Sequence, residues 1–239
     1  MERAEEKVTN GRTINLGGVG RPDVVAVSHN LGHRTRMLTR ALPEPSAFNA
    51  ASLLPYQLRR ADFELAMQDV YDLLFDLNTA LLTRSLPRIE ETVRPAILSG
   101  ILSDTVSASL ARHSRALVLN TFHNGHPDLI PQGKFAANAV QSGGDGIEVK
   151  TTKGRGGVDA HGARPGWFCL FRYATDVTTE PATDRRPSQF TEVLLANLEL
   201  SDFRSNDRAI LGTRTSSPNA AGLAKLRSNW VYRLASAAS

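Results

Sequence analysis

The hydrophobic period of the chain changes near residue 115, and this change restricts the fold more than any other feature. Before it, apolar residues recur at three- and four-residue steps. Phe63, Met67, Val70, Leu74, Leu77 and Leu81 give one such stripe over 56–84, which predicts a long amphipathic helix. Asp62, Glu64, Asp69, Asp72 and Asp76 occupy the intervening positions and read as a solvated face, with the first of them suited to the positive helix N-terminus. Ile89, Val93, Ile97, Ile101 and Val106 give a second stripe over 87–112. Pro87 fits a first helical position, and Pro95 is expected to kink or divide the segment.

After residue 115 the period shortens to that of strands. Ala116–Leu119 is β-like, and Ile147–Thr152 alternates with β-branched residues. Trp167–Tyr173 reads as a central strand and Glu192–Leu200 as another. Ser217 and Pro218 look like the N-cap and first position of a helix running to Arg227. Trp230–Arg233 closes the series as a short strand or extended tail. Residues 1–55 are turn-rich around a short apolar run, Val24–Val27. The glycines at 17, 18 and 20 lack a P-loop Lys-Ser/Thr and the dinucleotide spacing, and read as a plain turn. This order predicts an α/β (α+β) fold: 1–86 as an N-terminal loop and helical region packed on a core formed by 87–239.

Composition removes several classes. Of 239 residues, 41% are hydrophobic and 22% charged, ordinary globular values. No apolar run approaches the ~18 residues of a membrane span, and the charged start has no signal-peptide core. A single cysteine, Cys169, denies an internal disulfide or multi-cysteine zinc site and sits in an apolar strand as a core residue. Trp167 and Trp230 read as packing residues. A soluble protein of the bacterial cytoplasm, with no membrane partner, is the expectation. The net charge is +4, from 28 basic and 24 acidic side chains. It permits nucleic-acid binding without arguing for it.

One constellation carries chemistry. Pro127-Asp128 precedes Glu148-Val149-Lys150, with Asp128 20 positions before Glu148. On a strand, Glu148 and Lys150 point to the same face and Val149 to the other. If the Pro127-Asp128 segment pairs alongside, two carboxylates and an ammonium converge. Two carboxylates suit Mg²⁺, a hard cation that lowers the pKa of bound water and polarises a phosphoryl oxygen. A nearby lysine can orient that water or offset charge. Pro22-Asp23 and Glu5-Glu6-Lys7 repeat the two halves elsewhere, but without the β-like context or a workable separation.

This arrangement resembles the PD-(D/E)xK nuclease superfamily, particularly its type II restriction endonucleases. The likeness has motif content over about 115–175 and extends loosely to 88–233 through element order. It implies a restriction-endonuclease-like mixed sheet flanked by helices. It implies metal at Asp128, Glu148 and Val149, catalysis by Asp128, Glu148 and Lys150, and one or two Mg²⁺ ions. Family members often add an acid from the preceding helix; Glu90 and Glu91 lie there, and Glu91 is preferred. The expected partner is double-stranded DNA, and cutting both strands suggests a homodimer. Lys153 and Arg155 in the glycine-rich turn after the motif are expected to contact DNA, as are His161, Arg164 and Lys134. Arg185-Arg186 and Arg204–Arg208 are further candidates. His123-Asn-Gly-His126 is too compact for a ββα-metal nuclease and reads as structural or DNA-contacting. The alternatives are a nuclease dependent on modified DNA, or a DNA-binding protein of this fold without activity.

Overall fold

The computed structural model describes residues 24–28, 35–154, 162–206 and 215–235. β1 (Val24–Ser28) and β2 (Thr35–Thr39) pair as an antiparallel ribbon. Three helices follow: α1 (Arg60–Thr83), α2 (Ile89–Thr92) and α3 (Pro95–His113). Then come β3 (Leu117–Leu119), β4 (Leu129–Pro131), β5 (Ile147–Thr152), β6 (Gly166–Ala174) and β7 (Gln189–Leu198). β8 (Phe203–Asn206) and β9 (Thr215–Pro218) form a second ribbon. α4 (Ala220–Ser228) and β10 (Trp230–Arg233) complete the described chain.

The main sheet has the order β10-β7-β6-β5-β4-β3. β5 and β6 run parallel, and every other neighbouring pair is antiparallel. The expected α+β class with a mixed sheet is therefore what the chain forms. Among the described residues no helix is long and apolar enough to cross a membrane.

The register assigns the two faces of the sheet. Val149, Cys169 and Leu195 are laterally paired and join Phe63, Met67 and Val70 of α1 and Leu102 and Val106 of α3 in the larger core. Phe168, Leu170, Leu194 and Ala196 face the other way and pack with Leu226 of α4. Glu148 and Lys150 pair with Phe168 and Leu170, so they share the α4 face. α4 packs against β7 rather than over β5. The α1 segment thus shares one core with the sheet.

Three expectations need correction. The buried stripe of α3 is Leu98, Leu102, Val106 and Leu110, while Ile97 is exposed. The helix starts afresh at Pro95, so the phase of Ile89 and Val93, which belong to α2, does not carry across the break. Pro87 lies ahead of the Arg88 cap rather than inside a helix. The α4 cap is Asn219, not Ser217. Its side chain accepts from the amides of Ala221 and Gly222 at 2.9 and 3.1 Å, while Ser217 and Pro218 pair with Arg204 and Phe203 as strand. Asn caps at least as well as Ser, and the ribbon claims the serine.

Candidate active site

The site grows from an interrupted ladder. β4 and β5 share only one registered pair, Leu129↔Ile147. Continuing that antiparallel register sets Asp128 opposite Glu148. Instead of a further ladder bond, the Val149 amide donates to Asp128 Oδ2 at 2.8 Å. The Val149 carbonyl accepts from Ser103 Oγ of α3 at 3.1 Å. The parted strands leave a gap on the α4 face, and the side chains of the motif fill it.

Lys150 Nζ contacts Glu148 Oε1 and lies 3.6 Å from Asp128 Oδ2. The two carboxylates and the ammonium expected to converge do converge. A fourth residue joins them: His126 Nδ1 is 2.7 Å from Glu148 Oε2. His126 is the sole group at this buried oxygen, close to it but poorly aligned as a donor.

The loop before Asp128 is held by its own backbone. The His126 amide donates to the Gln141 carbonyl at 3.1 Å, and the His126 carbonyl accepts from the Gly143 amide at 2.8 Å. Asn120 Nδ2 donates to the carbonyls of Pro127 and Val140 at 3.0 and 2.8 Å. Gly146 makes the close approach possible. Its φ is +137°, a region that side chains rarely adopt. A Cβ there would collide with the Leu129 carbonyl oxygen and sit 2.5 Å from Pro127 Cγ. Its amide donates to Tyr56 Oη at 2.8 Å, which ties the entry of β5 to the segment before α1.

The electrostatics separate the two acids. Burial, and then the charge of Glu148, push the Asp128 carboxyl up to about 6, against the pull of Lys150. Burial also raises Glu148, but His126 and Lys150 outweigh it and hold that carboxyl below its usual range. Burial lowers Lys150, and the two carboxylates more than reverse this, so its ammonium is held charged. Negative charge is crowded at Asp128, which Glu148 opposes and Lys150 and His126 only partly offset, and a divalent cation would relieve it.

The donor set fits Mg²⁺ in kind. Asp128 and Glu148 offer carboxylate oxygens. The Val149 side chain is fully buried in the core, so only its carbonyl could serve as a ligand. Among the described residues no group of three or more His, Cys, Asp or Glu is placed to hold a metal ion. Mg²⁺ normally uses one or two carboxylates and completes its shell with water and substrate phosphate.

The remaining expected residues divide. Glu91 pairs with Arg88 at 2.7 Å and Arg185 at 3.2 Å, and Glu90 accepts from Asn78 and Ser188. Neither makes a hydrogen bond or ion pair with Asp128, Glu148 or Lys150, so Glu91 as a third acid finds no support in these contacts. Glu90 instead fastens α2 to α1 and to the segment before β7, and Glu91 ties α2 to Arg185 of that segment. Arg164 lines a pocket together with His126, Glu148 and Phe203. Lys153 is exposed just past β5. Lys134 pairs with Asp145 at 2.6 Å at the surface. Arg155 and His161 lie outside the described residues. Arg204 Nε donates to Ser217 Oγ at 3.3 Å, inside the second ribbon. Cys169 is buried as expected, and burial pushes its thiol up.

His126 is the residue that sequence reasoning left outside the site. Its adjacency to Pro127-Asp128 was the available signal, because a side chain two residues from a ligand shares that ligand's surroundings. Compared with known proteins, the chain matches no family model, no curated protein and no solved structure.

Proposed function

We propose that the protein is a Mg²⁺-dependent endonuclease that hydrolyses phosphodiester bonds in double-stranded DNA, in the manner of type II restriction enzymes with a PD-(D/E)xK motif. One observation carries the reading: Asp128, Glu148 and Lys150 meet at the parted edge of β4 and β5, with the two carboxylates sharing one ammonium.

Asp128 and Glu148 would hold Mg²⁺, with the Val149 carbonyl as a further oxygen donor. When bound, the ion supplies counter-charge to the phosphate and acidifies water. Lys150 is held as a cation by its two acidic neighbours, so it serves as a hydrogen-bond donor and counter-charge rather than as a base. Its Nζ is placed to orient the attacking water or a phosphate oxygen. Hydrolysis forms a bond from water oxygen to phosphorus as an ester P–O bond breaks, and the proton lost by water balances the one taken by the leaving oxygen. His126 keeps Glu148 ionised and fixes its orientation. A homodimer would bring two such sites to the two strands of a twofold-symmetric target.

Plasmid cleavage tests the reading. Wild-type protein with Mg²⁺ should linearise or nick the plasmid, and EDTA should stop it. Asp128→Ala and Lys150→Ala should each lower the rate by at least ~100-fold, the scale of a lost catalytic group. Equal cleavage by wild type and both variants would remove the site assignment. DNA binding with no cleavage under any divalent ion would instead favour a binding protein of this architecture.

A further inference from the structure

The same sheet face that carries Glu148 and Lys150 continues into a second feature. Past Lys150, between the ends of β5, β6 and β7, α4 and β10, lies a cleft of about 780 Å³. Five basic side chains line it: Lys153, Arg172, Arg186, Arg227 and Arg233. Two acids, Asp176 and Glu192, also line it, which leaves a net charge of +3.

The acids do not neutralise this set. Glu192 is shared, lying 2.8 Å from both Arg172 and Arg233. Asp176 accepts from the amides of Thr179 and Arg186, each at 3.1 Å, and the Arg186 guanidinium stands 3.9 Å away with 83% of its side chain exposed. Neither Lys153 nor Arg227 has a carboxylate partner among the described residues. Burial opposes the proton on Arg172 most, Glu192 works against that, and the charges of Arg227 and Arg233 add to the opposition, so the guanidinium is held below its usual range. Crowded cations of this kind are stabilised by an incoming anion. Thr175, which also lines the cleft, has a buried hydroxyl with no hydrogen-bond partner.

The position relative to the site is set by register. Lys150 pairs with Leu170, and Arg172 is two residues further along β6 on the same face. Two residues of strand and one inter-strand step give a separation of about 8 Å. That separation places the cleft within a phosphate or two of Lys150 along one strand.

We propose that this cleft binds the sugar–phosphate backbone of a nucleic-acid duplex beside the phosphate that is cut. The proposal rests on the nuclease reading for its duplex, and its chemistry is recognition of phosphate by convergent arginines. Phosphate could also arrive as a free ion, and the experiment separates the two sources.

The test measures binding of a fluorescent DNA duplex by anisotropy at 50 and 200 mM salt, in EDTA, with Asp128→Asn as background. The variant is the triple Lys153→Ala, Arg186→Ala, Arg227→Ala, all exposed positions. Each lost phosphate contact flattens the slope of log K against log salt by about 0.9. Three lost contacts should make the loss of affinity between the two salts about 40-fold smaller than in the background protein. Arg112→Ala, an exposed arginine of α3, should leave the slope unchanged. An unchanged slope in the triple variant, an equal flattening in Arg112→Ala, or absence of duplex binding in the background protein would each overturn the proposal. Titration with inorganic phosphate is the second arm. Tight phosphate binding that the triple variant loses, with duplex binding unaltered, would assign the cleft to a free anion and overturn the backbone. Because cleavage is not read, the two proposals fail separately. Cleavage with an unaltered salt slope leaves the nuclease and removes the cleft. A flattened slope in a protein that never cuts does the reverse.

Discussion

Asp128→Asn should stabilise the metal-free protein while removing its response to Mg²⁺. The reasoning starts from the crowding of Asp128. Burial and the Glu148 charge raise its carboxyl from 3.8 to about 6. Each unit is worth about 1.4 kcal/mol, so keeping Asp128 ionised would cost about 3 kcal/mol without screening. Its side chain is 33% exposed, and solvent screening reduces this to about 1–2 kcal/mol. Asparagine keeps an oxygen for the Val149 amide and removes the charge. For a protein of this size, 1 kcal/mol moves the Tm by about 2–4 °C, so a rise of about 3–6 °C is expected in EDTA at pH 8. The sign with pH is fixed. Asp128 is protonated more readily in the folded state, so its cost is present above about pH 6 and disappears as pH falls toward 3.8. The Tm gap between variant and wild type should therefore close between pH 6 and about 4. Mg²⁺ at tenfold over its Kd adds about 1.4 kcal/mol to a protein that binds it, which wild type should show and Asp128→Asn should not. Scanning calorimetry at several pH values, with EDTA or Mg²⁺, reads all of this. A variant less stable than wild type at pH 8 would make Asp128 a structural acceptor, and equal Mg²⁺ responses would remove it as a ligand.

Three further outcomes are expected, two from the geometry and one from the sequence of the turn after β5. Gly146→Ala should cost about 3 kcal/mol or more, from a strained φ and a clash with the Leu129 carbonyl; thermal denaturation should show a Tm lower by at least about 6 °C. Asn219→Ala removes the acceptor of two α4 amides and should cost about 1 kcal/mol, read from the denaturant midpoint. Alanine at both Lys153 and Arg155 should weaken duplex affinity and flatten its salt dependence, and identical binding at 50 and 200 mM salt to that of the parent would exclude the turn from the interface.

The fold was legible where a single periodic signal decided it. Ile147–Thr152 and Trp230–Arg233 lie where alternation placed them, and α1 buries the expected Phe63, Met67, Val70 and Leu74. Legibility failed where two local signals competed. Pro95 resets the phase of α3, so a stripe drawn through it from Ile89 selects the wrong isoleucines. Ser217-Pro218 carries a good helix-start pattern, yet pairing with Arg204 and Phe203 uses it as strand. The second ribbon had no periodic signature of its own, because four-residue strands are too short to show one. Glu91 illustrates the same limit in the site: an acid on the preceding helix is visible in sequence, but its arginine partners, Arg88 and Arg185, are brought to it only by folding.

The order of residues in the motif explains the geometry more fully than spacing alone. In the register set by Leu129↔Ile147, residue 127 falls opposite Val149. A residue with an amide hydrogen there could bond the Val149 carbonyl and extend the ladder. Proline has no such hydrogen, so the ladder stops. Its own carbonyl turns to Asn120 Nδ2, and the Val149 carbonyl turns to Ser103. The Val149 amide is then left for a side chain, and the adjacent Asp128 carboxylate takes it. That bond anchors one oxygen of Asp128 on the open face, opposite Glu148 and within reach of Lys150. Proline before the aspartate is thus what ends the pairing, and the ended pairing is what makes room for two facing carboxylates. The arrangement carries an electrostatic cost, visible in the raised Asp128. On the proposed reading a bound cation would offset that cost, and the Mg²⁺ and Asp128→Asn measurements test whether it does.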